Sequence, residues 1–120
     1  MNKLVDIEKM LIAQRKFAKD RNWDQFHTPK NIAIALNIES SELMEIFQWL
    51  KDDESKVIMS DEAKAKKVND EIADVLYYLL RMSDVLDIDL EKAFWNKLSK
   101  NEEKYPIDKS FGNAKKYTEF

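Results

Sequence analysis

One glycine and two prolines in 120 residues leave this chain few places to break. Glycine and proline are the strongest punctuators of the backbone, so their scarcity predicts long helices and few tight turns. The apolar periodicity agrees. Leu4, Ile7, Leu11 and Ala18 share a stripe on a first helix expected from about Lys3 to Asp20. Arg21 to His27 is an aromatic-rich connector. Thr28-Pro29 then supplies an N-cap and a proline at the first helical position. This second helix is expected to reach about Leu50. Lys51 to Met59 reads as a polar loop. Ser60-Asp61-Glu62 opens a third helix, with acids in its first turn, that continues to about Leu86. Asp89 caps a fourth helix that runs to about Lys104, before Pro106. No strict apolar–polar alternation persists between turn signals, so strands have little support. The expected fold is all-α, a four-helix-bundle-like single domain over residues 1–120 with 106–120 as a C-terminal tail.

Two acidic pairs interrupt this pattern. Glu39-Ser-Ser-Glu42 lies in the second helix and Glu71-Ile-Ala-Asp74 in the third. Carboxylates three residues apart project side by side from a helix. On the second helix Ile32, Leu36, Leu43, Ile46 and Leu50 recur at the helical period, and Glu39 falls on their stripe. On the third helix Val68, Ile72, Val75, Leu79, Met82 and Leu86 form a stripe with Glu71 at its edge. Carboxylates on a buried face are costly unless something positive compensates them. Cations are scarce nearby, with Arg81 the only one downstream on the third helix. The acids are either solvated helix positions or a site for a hard divalent cation such as Mg²⁺. His27 is the only histidine. A redox di-iron bundle, which needs a Glu-x-x-His motif on each of two helices, is therefore disfavoured.

Composition narrows the rest. The absence of cysteine excludes disulfides, thiol catalysis and Cys-zinc sites. A net charge of −3 disfavours a broad nucleic-acid surface. No apolar run approaches membrane-spanning length, and the start lacks the apolar block of a signal peptide. The expectation is a cytoplasmic protein that engages neither membranes nor nucleic-acid polymers. Lys97, Asn101 and Lys104 stand at helical spacing, followed by Tyr105. They read as a solvated face or as a polyphosphate cradle. Trp23, Phe26, His27 and Trp49 either fill a core or stack a nucleobase. The third helix has apolar or aromatic residues on more than one face, with Val75, Leu79 and Met82 on one, Leu76 and Leu80 on another and Tyr77 between. Such a helix is usually covered on all sides, which predicts a homo-oligomer.

The run Glu39-Ser-Ser-Glu42-Leu-Met-Glu45-Ile-Phe-Gln-Trp49, followed by Glu71-Ile-Ala-Asp74-Val, resembles the E-x-x-E…E-x-x-D signature of the MazG-like all-α nucleoside triphosphate pyrophosphohydrolases. Arg21 to Asn31, Asn101 to Pro106 and Lys116-Tyr117-Thr118 resemble the dCTP pyrophosphatase branch of that family. The resemblance implies cleavage of a nucleoside triphosphate between its α and β phosphates, with Mg²⁺ held by Glu39, Glu42, Glu71 and Asp74. It implies phosphate binding by Lys97, Asn101 and Tyr105. It places Trp23 and Trp49 around the base, Tyr78 near the deoxyribose and His27 at the base edge, and it implies a homodimer or homotetramer. Gln14 stands where the branch has a base-contacting histidine. Its amide can donate and accept but cannot charge, so the expected preference is for pyrimidine deoxynucleotides, broader than dCTP alone. The alternative is a non-catalytic nucleotide-binding or interaction module of the same fold. A plain helical oligomerisation protein would need none of the four acids together.

Overall fold

A computed structural model describes residues 4–120. Those residues contain helices and no strands: α1 (Ile7–Asp20), α2 (Pro29–Phe47), α3 (Asp52–Lys56), α4 (Glu62–Val85), α5 (Leu90–Lys104) and α6 (Ile107–Ser110). Short 3-10 turns occur at Asp24–Phe26, Ile58–Ser60 and Tyr117–Glu119. The backbone forms two compact units, one ending at Asp87 and the other starting at Ile88.

Local chemistry sets each boundary of the first unit. Asp6 caps α1 by accepting from Lys9 N at 3.0 Å, so the helix starts at Ile7 rather than near Lys3, which lies outside the described residues. Its far end closes without glycine. Asn22 adopts φ +55°, its N–H donates to Lys19 O at 3.0 Å, and Trp23 N–H donates to Ala18 O at 2.9 Å. This is a Schellman ending with asparagine in the left-handed position, and it fixes where Trp23 emerges. Thr28 caps α2 as expected, accepting from Asn31 N at 3.2 Å. Asn31 Nδ2 also donates to Phe26 O at 3.0 Å, tying the aromatic turn to the start of α2.

Three expectations need correction here. Helix α2 ends at Phe47, leaving Trp49 and Leu50 in the following turn. The expected polar loop Lys51–Met59 contains α3 and most of a 3-10 turn. Three acids, Asp52, Asp53 and Glu54, favour the N-terminal end of α3, and Glu54 accepts the Lys51 N–H at 2.8 Å. The cap of α4 is Asp61, accepting from Lys64 N at 3.1 Å, while Ser60 closes the preceding 3-10 turn.

Helix α4 packs chiefly against α2 and also against α1. Ala18, Ile32, Ile58, Val68 and Leu80 form the buried apolar core. The α2 stripe turns inward throughout: Ile32 is buried, and Leu36, Leu43, Ile46 and Leu50 are half-buried. The α4 stripe does not. Val68 is buried, but Ile72, Leu79 and Leu86 remain exposed, and Leu80, Arg81 and Ser83 take the inward positions.

In the second unit, Asp89 caps α5 as expected, accepting from Lys92 N at 3.0 Å. The tail folds back as α6 and a final turn that brings Tyr117 and Phe120 edge-on to Tyr105. Gly112 sits at φ +76°, where a side chain would be strained.

Candidate active site

Each of the two central helices carries its acids one turn apart, and packing α2 on α4 brings three of them together. Carboxylate oxygens of Glu39, Glu42 and Glu71 all lie within 4.8 Å of one another. Asp74 stands outside that set and is exposed, yet its charge acts on both Glu39 and Glu71. No ion pair among the described residues engages any of the four. Glu39 Oε2 and Glu71 Oε2 are buried without a hydrogen-bond donor.

The electrostatic consequence is large. Burial, then the close approach of the Glu71 and Glu42 carboxyls, then the charges of Asp74 and Glu42 push the Glu39 carboxyl from its ordinary 4.5 up to about 7. At Glu71 the approach of the Glu39 carboxyl favours the charged form. Desolvation and the charges of Glu42 and Asp74 outweigh it, so its pKa is also raised. The donor set is all oxygen, crowded and short of positive charge. That chemistry fits a hard divalent cation such as Mg²⁺, which takes oxygen ligands.

Beside the acids a cavity of about 630 Å³ opens between α1, the aromatic turn and α4. Met10, Ala13, Phe17, Trp23, Ala73, Leu76 and Leu80 give it apolar walls, and Gln14, His27, Asp74, Tyr77 and Tyr78 give it polar groups. Gln14 follows Ile7 and Leu11 on the inward face of α1. It is buried, and its Nε2 has no partner. Tyr77 Oη is likewise buried and unpartnered. Unpaired buried donors are costly, and a bound polar molecule would satisfy them. Phe17 meets Trp23 edge to face at 5.5 Å, which steadies the indole. Burial raises the Tyr77 and Tyr78 hydroxyls, with Glu39 and Asp74 adding to the effect at Tyr78.

Behind the cavity lies a buried charge that composition and periodicity did not single out. Arg81 is 5% exposed. Its Nη2 donates to Asp24 Oδ1 at 2.6 Å, its Nη1 to Asp84 Oδ2 at 3.4 Å and its Nε to His27 Nδ1 at 3.0 Å. Arg15 closes the network with two bonds to Asp84, at 2.8 and 2.6 Å. The Arg15 bond and charge hold Asp84 below its ordinary range. Burial and then Arg81 hold His27 below its ordinary value, with Asp24 opposing. A signal existed in the sequence: Arg81 is the lone cation between Val68 and Leu86, with Asp84 one turn on.

The cavity thus gathers Gln14, Trp23, His27, Asp74 and Tyr78 from the expected site. Trp49 is 87% exposed and does not line it. In the second unit Lys97 and Asn101 lie four residues apart on α5, and Tyr105 is its C-cap, donating its N–H to Asn101 O at 2.9 Å.

Comparison with known proteins points the same way. Residues 34–120 match the MazG-like family. The chain is 36% identical over 116 residues to rat dCTP pyrophosphatase 1 and 34% identical to its human counterpart, covering 97% of this chain. It spans 66% of the length of each of those proteins. A crystal structure of a pyrophosphatase from Archaeoglobus fulgidus superposes with a TM-score of 0.78 at 41% identity, over 88% of this chain and 97% of that one.

Proposed function

The chain belongs to the MazG-like family, and from that premise we propose that it is a nucleoside triphosphate pyrophosphohydrolase. It cleaves the α–β phosphate bond, giving a nucleoside monophosphate and pyrophosphate, and so removes surplus or modified nucleotides. The observation that carries this reading is the pair of buried, donor-less oxygens Glu39 Oε2 and Glu71 Oε2 in a three-carboxylate cluster. Acids on a packed helix–helix seam, with no ion pair among the described residues to answer them, are a poor structural device and a good metal site.

Glu39, Glu42, Glu71 and Asp74 would hold Mg²⁺. Bound there, the ion neutralises phosphate charge and lowers the pKa of a coordinated water. The chain's own residues do the selecting. The cavity walls exclude water from the base, and the Trp23 ring, braced by Phe17, offers it a stacking face. The Gln14 amide and His27 read its polar edge, which favours pyrimidine deoxynucleotides. Tyr78, beside the acids, packs against the sugar and disfavours a ribose 2′-OH.

We place the protein in the cytoplasm, without nucleic-acid or membrane partners. No helix among the described residues is long and apolar enough to cross a membrane. A homodimer or homotetramer is supported by the exposed apolar side chains of the two central helices: Ile34, Ile38 and Met44 on α2, Ile72 and Leu79 on α4.

Turnover of dCTP with separate quantification of pyrophosphate and orthophosphate tests the reading. Pyrophosphate released with Mg²⁺ and suppressed by a chelator is the expected result. Nucleotide binding without release of pyrophosphate from any canonical or modified triphosphate would overturn it.

A further inference from the structure

The Arg81 network does something the acid cluster and the stacking ring do not. A guanidinium has five donors and no acceptor. Whichever imidazole nitrogen faces Arg81 must therefore be unprotonated, and in the structure that nitrogen is His27 Nδ1, 3.0 Å from Arg81 Nε. A neutral imidazole with a bare Nδ1 carries its proton on Nε2. Free histidine exchanges between two neutral tautomers and a cation, and would offer a ligand a donor or an acceptor indifferently. Here the choice is made by a residue that lines no part of the cavity.

We propose that Arg81 is a positioning residue that fixes His27 as the Nε2–H tautomer, so that the cavity presents a permanent hydrogen-bond donor to an acceptor oxygen of the base. The proposal rests on the reading of this cavity as the base site. It names the ligand feature more narrowly than before: a ring carbonyl of the kind every pyrimidine base carries. The buried Gln14 Nε2, which has no partner, gives the same cavity a second donor. Arg81 is itself held by two carboxylates. Asp24 from the aromatic turn binds it at 2.6 Å, and Asp84, one turn along α4, is anchored by Arg15 of α1. The charged groups acting on His27 are thus Arg81, which opposes its protonation, and Asp24, which favours it. Asp24 spends part of its charge on Arg81.

His27 is the chain's single histidine, so heteronuclear NMR of the imidazole nitrogens reads it without assignment ambiguity. The wild-type protein should show the proton on Nε2 and a bare Nδ1. It should remain mostly neutral at pH 6.5, where an ordinary histidine is half-protonated. A non-cleavable α,β-imido analogue of dCTP should shift the Nε2–H signal. A proton on Nδ1, or mixed tautomers, in the wild type would overturn the lock and leave the base-site reading standing. A locked tautomer with no response to the analogue would overturn the recognition role together with the base site.

Arg81→Met supplies the kinetic arm. It should mix the tautomers and raise KM for dCTP by about tenfold, the worth of one hydrogen bond, with the loss in KM rather than kcat. In a His27→Ala background the same substitution should add nothing to KM. An equal rise in that background would show that Arg81 acts only on the fold. Should Arg81→Met fail to fold, the wild-type spectra still decide the lock and the response to the analogue.

Discussion

Crowded carboxylates store a pH dependence that one substitution should remove. Glu39 is raised from 4.5 in the unfolded chain to about 7 in the fold, chiefly by burial and then by its neighbours. A carboxyl whose folded pKa is raised binds its proton more tightly in the native state. Its stabilising contribution is therefore complete below about pH 4.5 and is lost as pH rises through about 7. At face value the shift is worth roughly 3 kcal/mol. The side chain is partly exposed, and solvent screening reduces this to about 1–2 kcal/mol. For a domain of this size each kcal/mol moves Tm by about 4 °C. Chelator-treated protein should thus melt about 4–8 °C lower at pH 8.5 than at pH 5 from this group alone. Mg²⁺ should recover the difference at pH 8.5 and do little at pH 5, where the acids are protonated.

Glu71→Gln tests the cause. The amide keeps the shape and can donate to Glu39, removing one of the neighbours that disfavour its charge. The variant should flatten the pH dependence and raise the Tm of chelator-treated protein at pH 8.5. A carboxylate facing a divalent ion is worth several kcal/mol even at an effective dielectric of 20, so kcat/KM should fall by about a hundredfold or more. Calorimetric scans from pH 5 to 8.5 with chelator or Mg²⁺, paired with pyrophosphate release, check both halves. A wild-type Tm that rises through this range with chelator present, or Glu71→Gln with full activity, would refute the reasoning.

Gln14→His introduces a ring that can charge and should sharpen selection of dCTP over dTTP by about tenfold in kcat/KM, about the worth of one hydrogen bond; an unchanged ratio would remove Gln14 from base recognition. Light scattering should give a dimer or tetramer of the 14.2 kDa chain, and Leu79→Glu on the exposed α4 stripe should shift it toward monomer; a stable wild-type monomer at micromolar concentration would end the oligomer argument. Ile32→Ala, at a large core side chain only 1% exposed, should cost about 2–4 kcal/mol in chemical denaturation without changing the substrate profile.

The helices were legible where a single local signal decides them. Thr28-Pro29 and Asp89 each start a helix by chemistry contained within a few residues. The acid pairs were legible because a carboxylate on an apolar stripe violates a one-dimensional pattern. Boundaries failed where the deciding group looks ordinary in a string. Asn22 ends α1 by accepting a left-handed backbone, a role usually sought in glycine. In α3 an acid caps in reverse, with Glu54 reaching back to Lys51 N–H and no Ser or Thr to advertise it. The α4 stripe was read correctly as apolar, but which face is buried depends on what α1 and α2 offer, and periodicity along α4 alone does not contain that.

Helix α4 treats buried charge in two opposite ways within about three turns. At its C-terminal half, Arg81 is answered in full by its own chain: Asp24, Asp84 and a bare imidazole nitrogen take its donors, and Arg15 balances the second acid. Internal compensation of this kind makes a charge structural, and a charge so occupied is not free to bind a ligand directly. At its N-terminal half, Glu71 faces Glu39 and Glu42 with buried oxygens that no donor of the chain reaches. The ion pairs of Arg81, to Asp24 and Asp84, exclude these acids. That distribution is what separates a site from a scaffold on one continuous helix. The satisfied half orients the His27 imidazole through hydrogen bonds already made. The unsatisfied half retains the uncompensated negative charge that a cation from solution would relieve.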